Sequence, residues 1–348
     1  MPVIVNANEV HPFLPSLGDP AAIAADRAMH QDIRPLEIAI LNLMADKQTT
    51  ERQLARWLGH TPLQVRLTFA ATDDYVSGVR SGRETTGTPA EYIRKFYSAW
   101  SDIRERKFDG LLITGVNLLQ ADVTREEIWP EIEKICDWST TNVFSSLFLC
   151  WAAFAALRHF HRLECYNGKT KTLGVFEHCI LSDQTGLLFG LPDRFPVPVG
   201  RWQRLRNDDL QREPALEVIS DSAEGGAFLV AEHTLCEDGS KLYPRRVYMF
   251  NHPEYATDTI RKEYLRDLAT CPDLPLPPNY FPADDPTGEP VNRWRHTAIV
   301  YINWIKAVYE ATPYDMARIP SPASAAPGNR PAGPRAPVRR RQTVDLRS

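Results

Sequence analysis

Two short stretches of this chain carry residues able to do covalent chemistry. The first ends at Cys150, which closes an apolar, β-branched and aromatic run (Val143, Phe144, Leu147, Phe148, Leu149) and is followed at once by the helix-forming Trp151-Ala152-Ala153-Phe154-Ala155-Ala156-Leu157. Strand, abrupt turn and helix with a nucleophile at the joint is the nucleophile-elbow arrangement, in which a strained backbone lifts the side chain clear of the sheet. The turn demands small neighbours, and Ala152 and Ala153 comply. The second stretch is His252-Pro253-Glu254, at the end of an apolar run from Arg246 to Asn251. A histidine oriented by a carboxylate and facing a cysteine is a nucleophile, base and orienter set. His252 would draw the proton from Cys150, because the thiolate is the nucleophile. Glu254 would hold the tautomer and favour imidazolium. Against this stands a blander reading, since unpaired cysteines are commonly inert packing and a lone His-Pro-Glu commonly caps a strand.

Positioning such a set requires strands that end at one edge of a sheet. Pro35 to Met44, Gln64 to Ala70, Phe108 to Gly115 and Asn142 to Cys150 read as buried strands. Thr49 or Thr50 caps a helix through Leu58, and Asp73 to Thr88 reads as a loop. Capping boxes at Thr88-Pro89-Ala90-Glu91 and Thr124-Arg125-Glu126-Glu127 open helices reaching Arg106 and Trp138. This alternation predicts an α/β fold with a doubly wound, mostly parallel sheet in three layers, whose sites lie at the carboxyl ends of the strands. Thr114-Gly115 and Cys150 would share that edge. After His161 come shorter strands at Thr172 to Phe176, Leu216 to Ser220, Ala227 to Val230 and Arg246 to Asn251, with a polar hairpin-like excursion at Leu235 to Pro244. A helix from Thr257 to Leu268, a proline-rich coil and a helix from Trp294 to Glu310 complete the body. Residues 1–34 read as an irregular arm, with Ala21 to Met29 a candidate short helix, residues 35–316 as one domain, and 317–348 as a disordered tail.

Composition fits an ordinary globular protein: 348 residues, 43% hydrophobic, 24% charged, net charge −4. No apolar run approaches the 18 or so residues of a membrane span, and no signal peptide opens the chain, so a cytoplasmic location is expected. The six cysteines (136, 150, 165, 179, 236, 271) show no CxxC pair, which suits reduced thiols rather than a disulfide framework or zinc site. The tail carries seven Arg against one Asp, leaving the body acidic. Nucleic acid is therefore not expected as a partner despite Arg339-Arg340-Arg341. No GxGxxG or Walker-type loop is present.

Arg34-Pro35-Leu36 through Leu41-Asn42-Leu43-Met44, Gly59-His60-Thr61-Pro62-Leu63-Gln64-Val65, Phe108 to Gly115, Gly174-Val175-Phe176-Glu177-His178, His252-Pro253-Glu254-Tyr255, Asn279-Tyr280-Phe281-Pro282 and Thr312-Pro313-Tyr314-Asp315 closely resemble the homoserine O-succinyltransferase/O-acetyltransferase family of methionine biosynthesis. The resemblance covers roughly Pro35 to Asp315. It implies a fold similar to class I glutamine amidotransferases, a homodimer, and ping-pong acyl transfer from acetyl-CoA or succinyl-CoA, a co-substrate rather than a bound cofactor, to an amino-acid hydroxyl. By position, Cys150 resembles the acyl-thioester nucleophile, His252 the general base and Glu254 its partner. Lys171 and Arg266 match substrate-binding positions, with Arg266 suited to grip a carboxylate. Trp151 and Val116 are the expected oxyanion donors.

The chain departs from the family at three places. Ala152 replaces a glycine after Cys-Trp. Pro198-Val199-Gly200-Arg201 replaces Pro-His-Ser-Arg in the acceptor-binding stretch, so Gly200 lacks a hydroxyl that would meet the acceptor. Leu119 stands where glycine accompanies succinyl and glutamate accompanies acetyl specificity. Leu119 leaves room for a short uncharged acyl group, and the missing hydroxyl admits serine or a related acceptor beside homoserine. Two competing readings are an amidotransferase-like amidase, disfavoured by Phe148 and Ala152 around the cysteine, and a degenerate member that binds a metabolite or partner without turnover.

Overall fold

Strand β3 (Leu36–Leu41) shows how the apolar runs are used: Leu36, Ile38 and Ile40 enter one core, and Ala39 and Leu41 enter another on the opposite face. A strand buried on both faces is apolar at nearly every position, which is why these segments read as near-continuous runs, Glu37 being the partly exposed exception in β3. The structure is a computed structural model describing residues 3–5, 22–24, 34–116, 120, 122–235, 241–269 and 271–320. With β1 (Val3–Val5), β2 (Ala22–Ala24), β4 (Val65–Ala71), β5 (Ser98–Ala99), β6 (Phe108–Ile113), β7 (Val143–Leu149), β8 (Tyr166–Ile180), β9 (Arg194–Arg204), β10 (Leu216–Asp221), β11 (Leu229–Leu235) and β12 (Lys241–Met249), it forms one sheet. The order is β2-β1-β4-β3-β6-β7-β12-β11-β10-β8-β9, with β5 beside β4. Pairing is parallel from β2 to β12 and antiparallel from β12 to β9. The parallel core β4-β3-β6-β7-β12 has the 2-1-3-4-5 order of doubly wound proteins, as expected.

Helices cover both faces. On one lie α1 (Lys47–Leu58) and α9 (Ile299–Ala311), through Leu54, Leu58, Tyr301, Trp304 and Ile305. On the other lie α5 (Trp129–Asn142) and α6 (Trp151–His161), through Ile132, Ile135, Trp151 and Phe154. The fully buried Asp109 ties the ends of the body together. It accepts both guanidinium nitrogens of Arg34 at 2.8 Å and the Thr312 hydroxyl at 2.6 Å.

Several local expectations are corrected. The stretch expected as a loop begins with α2 (Asp73–Arg80), where Asp73 and Asp74 favour the helix start. The helix expected to reach Arg106 breaks into α3 (Ala90–Phe96) and α4 (Trp100–Ile103). Tyr97 turns extended between them and brings its hydroxyl to the buried Glu51 and to Asn42. Residues 22–24 are strand, not helix, with Ile23 opposite Ile4. Strand β9 was missed because Pro196 and Pro198 argue against a strand; it lies at the sheet's outer edge, where proline deprives no neighbour of a hydrogen bond. Pro244, in the expected excursion, belongs to β12 at a register shift opposite His233, and residues 236–240 lie outside the described residues. Trp294 precedes a 3-10 turn at Arg295–Ala298, and α9 proper follows. Two further short helices, α7 (Asn207–Arg212) and α8 (Thr259–Leu268), pack by the antiparallel strands. Among the described residues no helix is long and apolar enough to cross a membrane.

Candidate active site

Cys150 has φ 53° and ψ −117°, a conformation that costs a non-glycine residue on the order of 1–3 kcal/mol and persists only where surrounding structure enforces it. The enforcement is visible. Its amide donates to Met249 O at 2.7 Å, extending the β7–β12 pairing by one residue, and its carbonyl accepts the Ala153 amide at 2.9 Å to start α6. Ala152 and Ala153 are fully buried beneath the turn. Because β7 and β12 are parallel neighbours in register, with Leu149 opposite Met249, Cys150 and His252 emerge at the same edge.

His252 Nδ1 lies 2.7 Å from Glu254 Oε1, and Tyr301 Oη donates to Glu254 Oε2 at 2.8 Å. With Nδ1–H assigned as the donor to the carboxylate, Nε2 is left for Cys150. The backbone amide of His252 donates to Pro198 O at 2.9 Å, and the Tyr255 ring stacks on the imidazole at 4.4 Å between centroids. Cys150, His252 and Glu254 are 8%, 4% and 6% exposed, so the charges act on one another with little water between them. Burial disfavours the imidazolium, yet the Glu254 carboxylate, and then Cys150 through charge and a side-chain hydrogen bond, outweigh it. The His252 pKa stands well above the ordinary histidine value.

The expected oxyanion donors lie on Trp151, next to Cys150 in the chain, and on Val116, next to the Gly115 that abuts Cys150. The Trp151 amide is the first of α6, one of the amides that have no partner inside a helix. Gly115 approaches so closely that a Cβ there would sit 2.9 Å from Cys150 Cβ and 3.5 Å from its sulfur, and Val116 follows it at the tip of β6. Leu119 lies outside the described residues.

The other expected binding residues fall on two faces of β9. On the Gly200 face, Lys171 Nζ is buried between Glu263 (2.7 Å) and Asp267 (2.6 Å). Arg266 Nε donates to Asp267 Oδ1 at 2.7 Å while its side chain stays half exposed. Tyr255 Oη donates to Glu263, and a Cβ on Gly200 would approach Glu263 Oε2 to 3.0 Å. Arg201, one residue on, turns to the opposite face. It donates from Nε to Asn251 Oδ1 at 3.2 Å, from Nη1 to Gln203 O at 3.0 Å and from Nη2 to Gly225 O. Asn251 Nδ2 is in turn 3.0 Å from His178 Nε2.

Sequence reasoning missed Tyr301, Glu263 and Asp267. The i, i+4 spacing of Glu263 and Asp267 on one helix face was the available signal for the last two. Tyr255 stood in a quoted motif without a role. Among the described residues no group of three or more His, Cys, Asp or Glu is placed to hold a metal ion, and Cys136, Cys150, Cys165, Cys179 and Cys271 are free thiols.

A family model described as homoserine O-succinyltransferase matches residues 16–314. A homoserine O-acetyltransferase of Novosphingobium aromaticivorans is 44% identical over 293 residues, covering 84% of this chain and 90% of that protein. One from Agrobacterium fabrum is 41% identical, covering 83% and 88%. Among solved structures, a glutamine amidotransferase from Thermotoga maritima is similar with TM-score 0.44 and 13% identity, over 83% of this chain and all of that one.

Proposed function

The chain belongs to the homoserine O-succinyltransferase family, and we propose that it moves a short acyl group from an acyl-CoA thioester to the side-chain hydroxyl of homoserine, or of a related hydroxy amino acid, through an acyl-Cys150 intermediate. The observation that carries this reading is the strained Cys150 at the mouth of α6 with the buried His252–Glu254 pair on the adjacent strand end. The names of the 41–44% identical relatives favour acetyl as the group transferred.

In the first half-reaction the Cys150 sulfur attacks the thioester carbonyl. The carbonyl oxygen gains negative charge and meets the Trp151 amide and the backbone of Gly115–Val116. The C–S bond to coenzyme A breaks, and the leaving thiolate takes the proton held on His252. In the second half-reaction the acceptor hydroxyl gives its proton to His252 as its oxygen attacks the acyl-cysteine, and Cys150 leaves. The electrostatics of His252 suit both roles. Glu254 and Cys150 together favour the imidazolium in the free enzyme. Once its proton has passed to the leaving thiolate and Cys150 is acylated, the Cys150 part of that stabilisation is gone and the neutral ring can take the acceptor's proton. Glu254, fixed by Tyr301, keeps Nε2 aimed throughout.

The Gly200 face suits the acceptor. Lys171, Glu263, Asp267 and the half-exposed Arg266 form a paired network of both charges, so an amino acid's ammonium and carboxylate would each find an opposite charge there by sharing those pairs. Gly200 lets Glu263 and Tyr255 approach β9 closely, since a Cβ there would meet Glu263 Oε2 at 3.0 Å and Tyr255 Oη at 3.4 Å.

Intact-protein mass after brief exposure to acetyl-CoA or succinyl-CoA without acceptor tests the proposal. An acyl-sized gain in wild type that is absent in Cys150→Ala, and discharged by homoserine or serine, is the expected result. Failure of every short acyl-CoA to add mass overturns the ping-pong reading.

A further inference from the structure

Strand β10 meets β8 at Ser220–Ile180 and Asp221–Cys179, the last residues of each, so most of β8 with its partner β9 overhangs the carboxyl edge of the sheet. Beneath this overhang, bounded also by the turn at 222–227 and the start of α6, lies a cavity of about 250 Å³. Phe154, one helical turn beyond Cys150, lines it, as does Phe250, two residues before His252. Its charged lining is Arg201, Arg204 and Arg206 against Glu224.

We propose that this cavity receives the phosphate groups of the acyl donor's coenzyme A. The inference deepens the transferase reading above and rests on it. Three arginines line a small space in a chain whose net charge is −4, which makes the cavity a local well for anions. Glu224 is exposed at the rim, and Asp221, whose charge reaches Arg201, is held by Asn207 Nδ2 at 2.7 Å; both leave the cationic excess in place. Arg201 spends three N–H bonds on Asn251, Gln203 and Gly225, which fixes its plane and leaves two of its five donors. Arg204 is anchored through Nη2 to Thr172 Oγ1 at 2.7 Å. Arg206 is exposed and so able to close on a ligand. Tyr166, also exposed, gives the cavity an aromatic face for a purine base.

The two faces of β9 thus divide the substrates by charge. An amino acid carries both signs, and the Gly200 face presents both; a nucleotide phosphate is anionic, and the Arg201 face is predominantly cationic. Successive residues of a strand point to opposite faces, so Gly200 and Arg201 mark the division. Cys150 is within electrostatic reach of Tyr255 on one side and Arg201 on the other.

The test compares acetyl-CoA with acetyl-pantetheine, which presents the same thioester without phosphates, on wild type, Arg206→Ala and Arg204→Gln/Arg206→Ala, together with calorimetric binding of coenzyme A to the full chain. Loss of one charged hydrogen bond to phosphate is expected to raise the KM for acetyl-CoA and the Kd for coenzyme A about tenfold in Arg206→Ala. More is lost in the double variant, while the KM for acetyl-pantetheine stays at its wild-type value. Recovery of coenzyme A binding in Arg206→Lys supports a charge role. Equal changes with both thioesters, or an unchanged coenzyme A Kd in the double variant, overturn the proposal. Should neither thioester acylate Cys150, the transferase reading fails, and coenzyme A calorimetry on the arginine variants still decides whether the cavity binds phosphate.

Discussion

Tyr301 in α9 donates its hydroxyl to Glu254 at 2.8 Å, on the carboxylate whose other oxygen holds His252. The bond joins a helix packed on one face of the sheet to the edge that carries Cys150 and His252, and it holds the carboxylate that orients the proposed base. Tyr301→Phe preserves the ring and leaves Glu254 Oε2 buried without this donor, at an expected stability cost of about 1–2 kcal/mol. The expected kinetic result is a fall of about tenfold in kcat with little change in KM, the order of a general-base contribution partly lost. Freed of the tyrosine, Glu254 attracts the imidazolium more strongly, so the His252 titration moves further up, whereas Glu254→Gln moves it down. Nitrogen-15 NMR of the histidines reads both signs, and a Tyr301→Phe enzyme with unaltered kcat and titration would sink the positioning role.

Gly115→Ala places a methyl group 2.9 Å from Cys150 Cβ. Either the elbow or the tip of β6 must shift, at about 1–3 kcal/mol for an overpacked site. Because the displaced groups are the proposed nucleophile and the proposed oxyanion backbone, activity should fall at least about a hundredfold, comparable to removing an oxyanion donor. Single-turnover acylation followed by mass, beside the melting temperature of the variant, checks that the loss is in chemistry rather than folding.

Burial holds the imidazole of His178 down, at about 4, against the pull of its bond to Phe176 O. An unfolded chain has this group near 6.5, so between pH 6.5 and 4 the folded state binds fewer protons than the unfolded one. Its stabilisation is complete above pH 6.5 and is withdrawn as pH falls towards 4, by about 3 kcal/mol in total. His178→Gln should be less stable at neutral pH but should show a flatter melting-temperature profile between pH 6.5 and 4. Parallel profiles for the two proteins would count against this assignment.

Lys171 pairs with two carboxylates in a nearly dry setting, with Arg266 as the second cation. Lys171→Met leaves the Glu263 and Asp267 carboxylates with Arg266 and Tyr255 but without their buried cation, and breaking a buried ion pair in this way costs about 3–5 kcal/mol. Adding Asp267→Asn should recover part of that loss in urea denaturation. The KM for the amino-acid acceptor should rise in both proteins while acylation of Cys150 by the donor proceeds, which separates the acceptor site from the first half-reaction.

The sequence by itself determined the parallel core, because strands buried on both faces are predominantly apolar, and β3, β4, β6 and β7 therefore stand out against their polar connections even with Glu37, Arg66 and Asp109 among their residues. It also singled out Cys150, His252 and Glu254, the set proposed above to carry the chemistry. Cys150 sits at a local change from strand to helix, and His252 and Glu254 are two residues apart, so their geometry needs little more than their own backbone. The ordered family motifs carried Lys171 and Arg266 by position. Only the tertiary structure decided what those residues face. Tyr301 meets Glu254 across 47 residues, and Glu263 and Asp267 meet Lys171 across 92 and 96. Such pairings follow from which helix packs on which face and from the need to pair buried charge, and no local pattern encodes either. Strand β9 makes the same point. Its prolines hide it from a strand reading, its place at the sheet edge makes them tolerable, and the twofold alternation of that strand alone sets Gly200 against the carboxylates and Arg201 into the cavity on the other side.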